Sequence, residues 1–82
     1  MADFRLSDHA KVAMAERGIE MSWVERTLDA PERVEADPGD PSLLRAFGAI
    51  PERDGRILRV VYRPAGGAAF VVTAFFDRGA RR

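Results

Sequence analysis

The chain has 82 residues, no cysteine and one histidine, and its thirteen basic and thirteen acidic side chains cancel. These totals exclude a disulfide framework, a thiolate metal site and a multi-histidine metal site, and no acidic spacing indicates a carboxylate site, so we expect neither metal nor cofactor. No apolar run approaches the roughly 18–20 residues that cross a bilayer, and the first residues lack an apolar signal core. We therefore expect a soluble cytoplasmic protein whose residues 1–82 form one small domain.

The zero net charge conceals an uneven distribution along the chain. Residues 29–42 carry five acidic side chains and one basic one, whereas residues 43–82 carry eight arginines and three acids. Arginine presents a planar fork of donors that suits phosphate. Two interpretations stay open: a GC-rich coding sequence that places arginine on solvated strand faces, or a face that binds an anionic polymer. The acidic segment 29–42 could shield the arginines or dock a basic partner.

Two short helices are predicted in the N-terminal part. Ser7 is a good N-cap for a helix over Asp8–Arg17, and Gly18 suits the left-handed position that ends it. A second helix is predicted from Met21 to Asp29, because Pro31 forces the residue before it out of the helical region. We expect its apolar stripe on Met21, Val24 and Leu28, with Trp23 and Thr27 flanking it. Neither helix is long enough to be stable alone, so both need a sheet.

The stretch Arg56–Phe76 predicts a β-hairpin around which the sheet forms. Its two apolar runs are joined by Pro64-Ala65-Gly66-Gly67, and the second run is apolar at almost every position, as in a central strand. With the Asp54-Gly55 turn and the earlier runs, the sequence predicts an antiparallel meander with strands near 33–36, 43–50, 56–63 and 68–76.

The predicted fold class is therefore α+β. A helical pair at about 7–29 packs on one face of a four-stranded meander at about 32–76, followed by a polar tail, 77–82. A short edge strand at Asp3–Leu6 is a further option, and an exposed edge there would allow a homodimer by self-pairing.

Arginines also cluster on one face of the predicted sheet. Strand alternation directs Leu58, Val60 and Tyr62 toward the helices and places Arg59 and Arg63 on the opposite face. Arg45 likewise lies opposite its apolar neighbours in the strand before. If the register aligns them, these three arginines form a basic stripe that could bind a substrate.

Four further side chains are candidates for chemistry. His9, in the first turn of the first helix, could act as an acid or base near neutral pH, or it could simply bond a loop carbonyl. Arg17 suits the negative end of the same helix without any functional role. Thr73 interrupts an apolar strand, where its hydroxyl needs either a local partner or a ligand. Arg78 follows the last strand and is well placed to reach a ligand at the end of the sheet.

An ordered set of short motifs resembles a known bacterial family. The chain contains His9-Ala10, then Met14-Ala-Glu-Arg17-Gly18-Ile19, Trp23-Val24, Leu28 and Pro31, and further on Arg45, Leu58-Arg-Val-Val61, Val71-Val72-Thr73-Ala74-Phe75 and Arg78. This pattern, over roughly residues 6 to 78, is similar to the domain-of-unknown-function family 4258. The chain departs from the pattern at Ala13, where many relatives have a basic residue.

That family looks like a relative of the RelE/ParE and BrnT toxin group, in which two helices pack on a curled antiparallel sheet. The resemblance implies a metal-free ribonuclease of a toxin–antitoxin system, with RNA as substrate and a small antitoxin-like protein as partner. It implies His9, Arg45, Thr73 and Arg78 as catalytic residues, and Arg17, Arg59 and Arg63 would then bind the substrate. His9 would move protons while Arg45 and Arg78 stabilise the transition state. The alternative is a non-catalytic protein-interaction module on the same fold.

Overall fold

A computed structural model describes residues 3–79 as two helices packed on one face of a five-stranded sheet. The elements in chain order are β1 Phe4–Leu6, α1 Asp8–Arg17, α2 Met21–Asp29, β2 Arg33–Ala36, β3 Leu44–Ile50, β4 Arg56–Ala65 and β5 Ala68–Phe76, with a short 3₁₀ turn at Pro51–Arg53 between β3 and β4. The α+β class and both predicted helices are confirmed. Residues 80–82 of the predicted tail lie outside the described residues.

The sheet is mixed, with the strand order β1-β5-β4-β3-β2. Strands β2 to β5 form the predicted antiparallel meander, but β1 pairs with β5 in parallel, with Phe4 opposite Ala69. The optional edge strand at Asp3–Leu6 is therefore present as β1, and the sheet has five strands rather than four. A parallel pair needs a long crossover between its strands, and here the whole intervening chain supplies it. Sequence alternation alone could not show this pairing.

The hairpin between β4 and β5 is tighter than predicted. Strand β4 continues through Pro64 and Ala65, and only Gly66 and Gly67 form the turn, with φ values of 57° and 83°. Two consecutive positive φ values give the turn type whose twist matches that of the flanking strands, and glycine adopts them without strain. Between Val61 and Tyr62 the register shifts by one residue, so β5 carries a bulge.

The core lies between the sheet and the helices. Leu58, Val60 and Val71 are completely buried against residues of both helices, among them Ala10 and Val24. The predicted inward face of β4 is therefore confirmed, although Tyr62 is only half-buried. Ser7 is the N-cap of α1, as predicted, and its hydroxyl also donates to the Val72 carbonyl, which ties the helix to β5.

The predicted apolar stripe of α2 is confirmed at Val24 and Leu28 but is wrong at Met21. Its buried residues are Trp23, Val24 and Thr27, whereas Met21 is 57% exposed. The Trp23 ring is the larger apolar surface, and it packs on the Phe76 ring with the centroids 6.3 Å apart. Thr27 can face the sheet because its hydroxyl donates to the Trp23 carbonyl and because Gly48 lies beneath it. A Cβ atom at position 48 would stand 3.1 Å from the Thr27 Oγ1 atom, so a larger residue there would have to displace the Thr27 side chain by a few tenths of an ångström.

Candidate functional site: an arginine groove

Four arginines line one groove at the end of the sheet where β5 finishes. We call it the arginine groove; it has a volume of about 380 Å³ and is lined by Arg17, Arg53, Arg56, Phe75, Phe76 and Arg78. The C-terminal end of α1, the turn between β3 and β4, the start of β4 and the residues after β5 each contribute one cation. The groove therefore exists only in the folded chain.

Aromatic rings position two of these cations. The guanidinium groups of Arg53 and Arg56 each lie 4.9 Å from the centroid of the Phe76 ring, and Arg53 is also 5.9 Å from the Trp23 ring. Arg53 further donates a long hydrogen bond of 3.4 Å to the Gly18 carbonyl at the end of α1. Guanidinium groups over aromatic faces are attracted by the ring quadrupole. Phe76 thus contacts two of the positive charges that line the groove.

The described residues that line the groove include no acidic side chain. Within residues 3–79, no carboxylate oxygen lies within 4.0 Å of a guanidinium nitrogen of Arg17, Arg53, Arg56 or Arg78. Converging cations with unused donors bind anions, and guanidinium groups suit phosphate in particular because they donate in pairs. The arrangement therefore suits an anionic ligand, even though the whole chain has no net charge.

An ion pair holds the turn that carries Arg53. Arg26 on α2 donates two hydrogen bonds, of 3.0 and 2.8 Å, to the carboxylate of Glu52. These hydrogen bonds, with a smaller Coulomb attraction, lower the pKa of Glu52 from its ordinary 4.5 to about 2. The same contact raises the pKa of Arg26. The lowered pKa of Glu52 and the raised pKa of Arg26 agree, because each results from a pair whose two members stay charged in the folded chain.

The ion pair between Arg26 and Glu52 makes the stability of the fold depend on pH. Because the folded-state pKa of Glu52 lies below its ordinary value, the stabilisation is fully present above pH 4.5 and is lost as the pH falls to about 2. We expect the difference in unfolding free energy between the wild type and E52Q to be constant above pH 4.5 and to shrink below it. Urea unfolding at a series of pH values measures this difference, and a difference that stays flat down to about pH 2 would contradict the assignment.

The face of the sheet opposite the helices carries alternating arginine and phenylalanine side chains. The register aligns Arg33, Phe47, Arg59 and Phe75 in one row across β2, β3, β4 and β5. The Arg33 guanidinium lies 4.3 Å from the Phe47 centroid, and Arg59 lies 5.5 Å from Phe47 and 4.8 Å from Phe75. Phe47 is only 3% exposed, although neither α1 nor α2 covers this face. The arginines themselves shield the rings from water.

Two of the predicted site arginines are already neutralised on this face. Arg59 pairs with the carboxylate of Asp77, and Arg45 lies 3.7 Å from Glu35 and 3.6 Å from Asp37. The acidic segment therefore shields Arg45, which was one of the two roles predicted for it. The Nε atoms of both arginines are buried without a hydrogen-bond partner. Their charges serve the sheet face and are less available to a ligand than those in the arginine groove.

The remaining predicted residues are distributed over the molecule. Arg17 and Arg78 come together in the arginine groove, whereas Arg63 is exposed near the hairpin turn. Thr73 lies in the middle of β5, separated from Arg45 by Val61 of β4, which places them about 10 Å apart across two strand spacings. His9 is exposed on α1, on the opposite side of the sheet from Arg45. The structure therefore does not bring His9 together with Arg45.

Sequence reasoning missed four residues of the groove. Arg53 and Arg56 belong to a turn and a strand start, where exposed arginines are common, and neither lies in a motif. Phe75 and Phe76 were expected only as apolar strand residues. The four residues line one groove only because the short connection between β3 and β4 brings them together, and no sequence pattern reveals this connection.

The fold and the groove define a small α+β domain with a cationic site at one end of its sheet. Comparison with family models identifies the family: the chain belongs to the one described as Domain of unknown function (DUF4258), which matches residues 6–76. No curated protein and no solved structure matches the chain. Among residues 3–79, no helix is long and apolar enough to cross a membrane, and no cluster of three or more histidine, aspartate or glutamate side chains could hold a metal ion.

Proposed function

We propose that the chain binds single-stranded RNA and holds its phosphates in the arginine groove. One observation carries this proposal: four guanidinium groups line a single groove without a carboxylate in ion-pair distance among residues 3–79. Guanidinium groups beside aromatic rings are the typical surface for single-stranded nucleic acid, because they combine phosphate contacts with faces against which bases pack.

The geometry favours binding over cleavage by His9. A general acid or base must come within about 3 Å of the proton it moves, or act through one water molecule. His9 precedes Arg17 by eight residues, about 12 Å along the axis of α1, and it does not line the groove. Metal-free cleavage, as in a ribonuclease toxin, therefore needs either a proton-transfer group other than His9 or a closer approach of His9 to the bound RNA.

The test is binding of labelled single-stranded RNA by fluorescence anisotropy over a range of salt concentrations. We expect binding at low salt, with a log–log slope of about −0.7 for each phosphate contacted. Electrophoresis of the same RNA after incubation shows whether it is cut. Intact RNA supports a binding domain, whereas cut RNA that is protected by H9A would support the ribonuclease. Absence of binding even at low salt would contradict the proposal.

A second candidate function rests on the exposed edge of the sheet. All four residues of β2 are exposed, and an edge strand with free backbone groups is a template for an added strand. An antitoxin-like protein or a second copy of the chain could pair there. This surface lies on the opposite sheet edge from β1 and does not include groove residues, so both functions could coexist.

A further inference from the structure

A second groove lies at the other end of the β4–β5 hairpin. The register places Arg5 of β1, Phe70 of β5 and Arg63 of β4 in one row across three strands. The Arg63 guanidinium is 5.4 Å from the centroid of the Phe70 ring. These three residues, with Asp3, Phe4 and three alanines, line a groove of about 670 Å³, which we call the hairpin groove.

The cations of the hairpin groove are available to a ligand. Among residues 3–79, no carboxylate oxygen lies within 4.0 Å of a charged nitrogen of Arg5 or Arg63. Two acids are nearby: Asp3 lines the groove, and the charge of Arg63 acts on the exposed Asp40 carboxylate. Phe70 is half-buried, so part of its ring also faces solvent. The Phe70 ring, stacked with the Arg63 guanidinium and paired in the register with Arg5, provides contacts for both parts of a nucleotide.

The two grooves are connected along one face of β5. Arg59, Val61 and Arg63 alternate along β4 and share a face, so their partners Phe75, Thr73 and Phe70 also share that face. The bulge in β5 makes this possible, because without it residues 70 and 73 would point to opposite faces. Phe75 lines the arginine groove and Phe70 the hairpin groove, and the six residue-to-residue steps from Phe70 to Phe76 span roughly 20 Å.

We infer that the hairpin groove is a second subsite for the same RNA strand, which runs along β5 from one groove to the other. Arg5 and Arg63 bind a phosphate, and the adjacent base packs against the stack of Phe70 and Arg63. Thr73 lies between the subsites with its hydroxyl without a hydrogen-bond partner among residues 3–79, where it can contact a sugar or phosphate oxygen. This inference rests on the proposed function, since the arginine groove is its first subsite.

The subsite predicts a dependence on RNA length. A strand that fills both grooves gains affinity from linkage, by up to about 10²-fold when its length matches the span. The experiment compares oligonucleotides of about three and about twelve nucleotides, because single-strand sites of small domains cover about 4–16 nucleotides. We expect R5Q/R63Q to weaken binding of the longer RNA at least tenfold and to leave the shorter RNA unaffected.

Two controls separate the possible outcomes. K11Q/R33Q removes two positive charges, as R5Q/R63Q does, but outside both grooves. We expect it to change the affinity for the shorter and for the longer RNA by no more than twofold. If R5Q/R63Q binds the longer RNA as well as this control does, the second subsite is wrong while the proposed function stands. If the wild type binds neither length, the proposed function itself fails. An oligoglutamate peptide that displaces the longer RNA at equal charge would also overturn the inference, because it would indicate an acidic protein partner.

Discussion

The variant R17Q/R78Q is expected to bind single-stranded RNA about a hundredfold more weakly than the wild type. Both arginines line the arginine groove, and each loses a hydrogen bond to a charged phosphate that is worth roughly 1.5–3 kcal/mol. Two such losses amount to at least about 3 kcal/mol, which corresponds to a factor above a hundred in the dissociation constant. Anisotropy titrations at one fixed salt concentration measure this change.

These two positions allow a clean test because little else depends on them. Both side chains are exposed, and within residues 3–79 neither makes a hydrogen bond or an ion pair, so the fold should tolerate the substitutions. Arg17 contributes only a favourable charge at the end of α1, typically about 0.3–1 kcal/mol. The control variant K11Q/R33Q loses the same number of positive charges as R17Q/R78Q. An equal affinity loss in both variants would show that binding follows net charge and does not need the arginine groove.

The substitution D77A is expected to destabilise the fold by about 2–4 kcal/mol. Asp77 is the ion-pair partner of Arg59, and their side chains are 12% and 22% exposed. Without it, a guanidinium group enclosed between the Phe47 and Phe75 rings keeps its charge but loses its carboxylate. Removing one partner of a fully buried pair costs about 3–5 kcal/mol, and some solvent access lowers that figure here. Urea unfolding of the purified variant measures the loss.

The double variant R59M/D77A separates an unpaired charge from a simple loss of contacts. Methionine keeps much of the volume over the two rings and carries no charge, so we expect the double variant to be clearly more stable than D77A. Replacing both members of an ion pair with apolar groups is often neutral. If D77A and the double variant unfold at the same urea concentration, the charge of Arg59 is not the cause, and the role of Asp77 lies in its other contacts.

Local signals in the sequence predicted most of the secondary structure. Ser7 and Gly18 defined α1 because caps depend on single residues and their own backbone geometry. The parallel pairing of β1 could not be predicted, since three residues carry too little pattern to choose a partner strand. The burial of Trp23 in place of Met21 could not be predicted for a related reason, because it depends on contacts with the sheet. The Trp23 ring packs on Phe76, and Gly48 leaves space for Thr27.

The candidate site was harder to predict than the fold. The sequence indicated that arginines cluster in residues 43–82, but it could not tell paired from unpaired ones. The register decides this, because it places Arg45 beside Glu35 and Arg59 between two rings. Arg53 joins the groove through the turn geometry between β3 and β4 and through contact with Phe76. Such pairings are long-range and leave no periodic signal in the sequence.

The most direct measurement of the central claim is an NMR titration that follows the arginine Nε–Hε resonances as single-stranded RNA is added. The signals of Arg17, Arg53, Arg56 and Arg78 are expected to shift together and to saturate at the same RNA concentration. The Arg26 and Arg45 signals should remain in place, because Glu52, Glu35 and Asp37 already hold those side chains. Shifts confined to residues outside the arginine groove, or no shifts at low salt, would contradict the central claim.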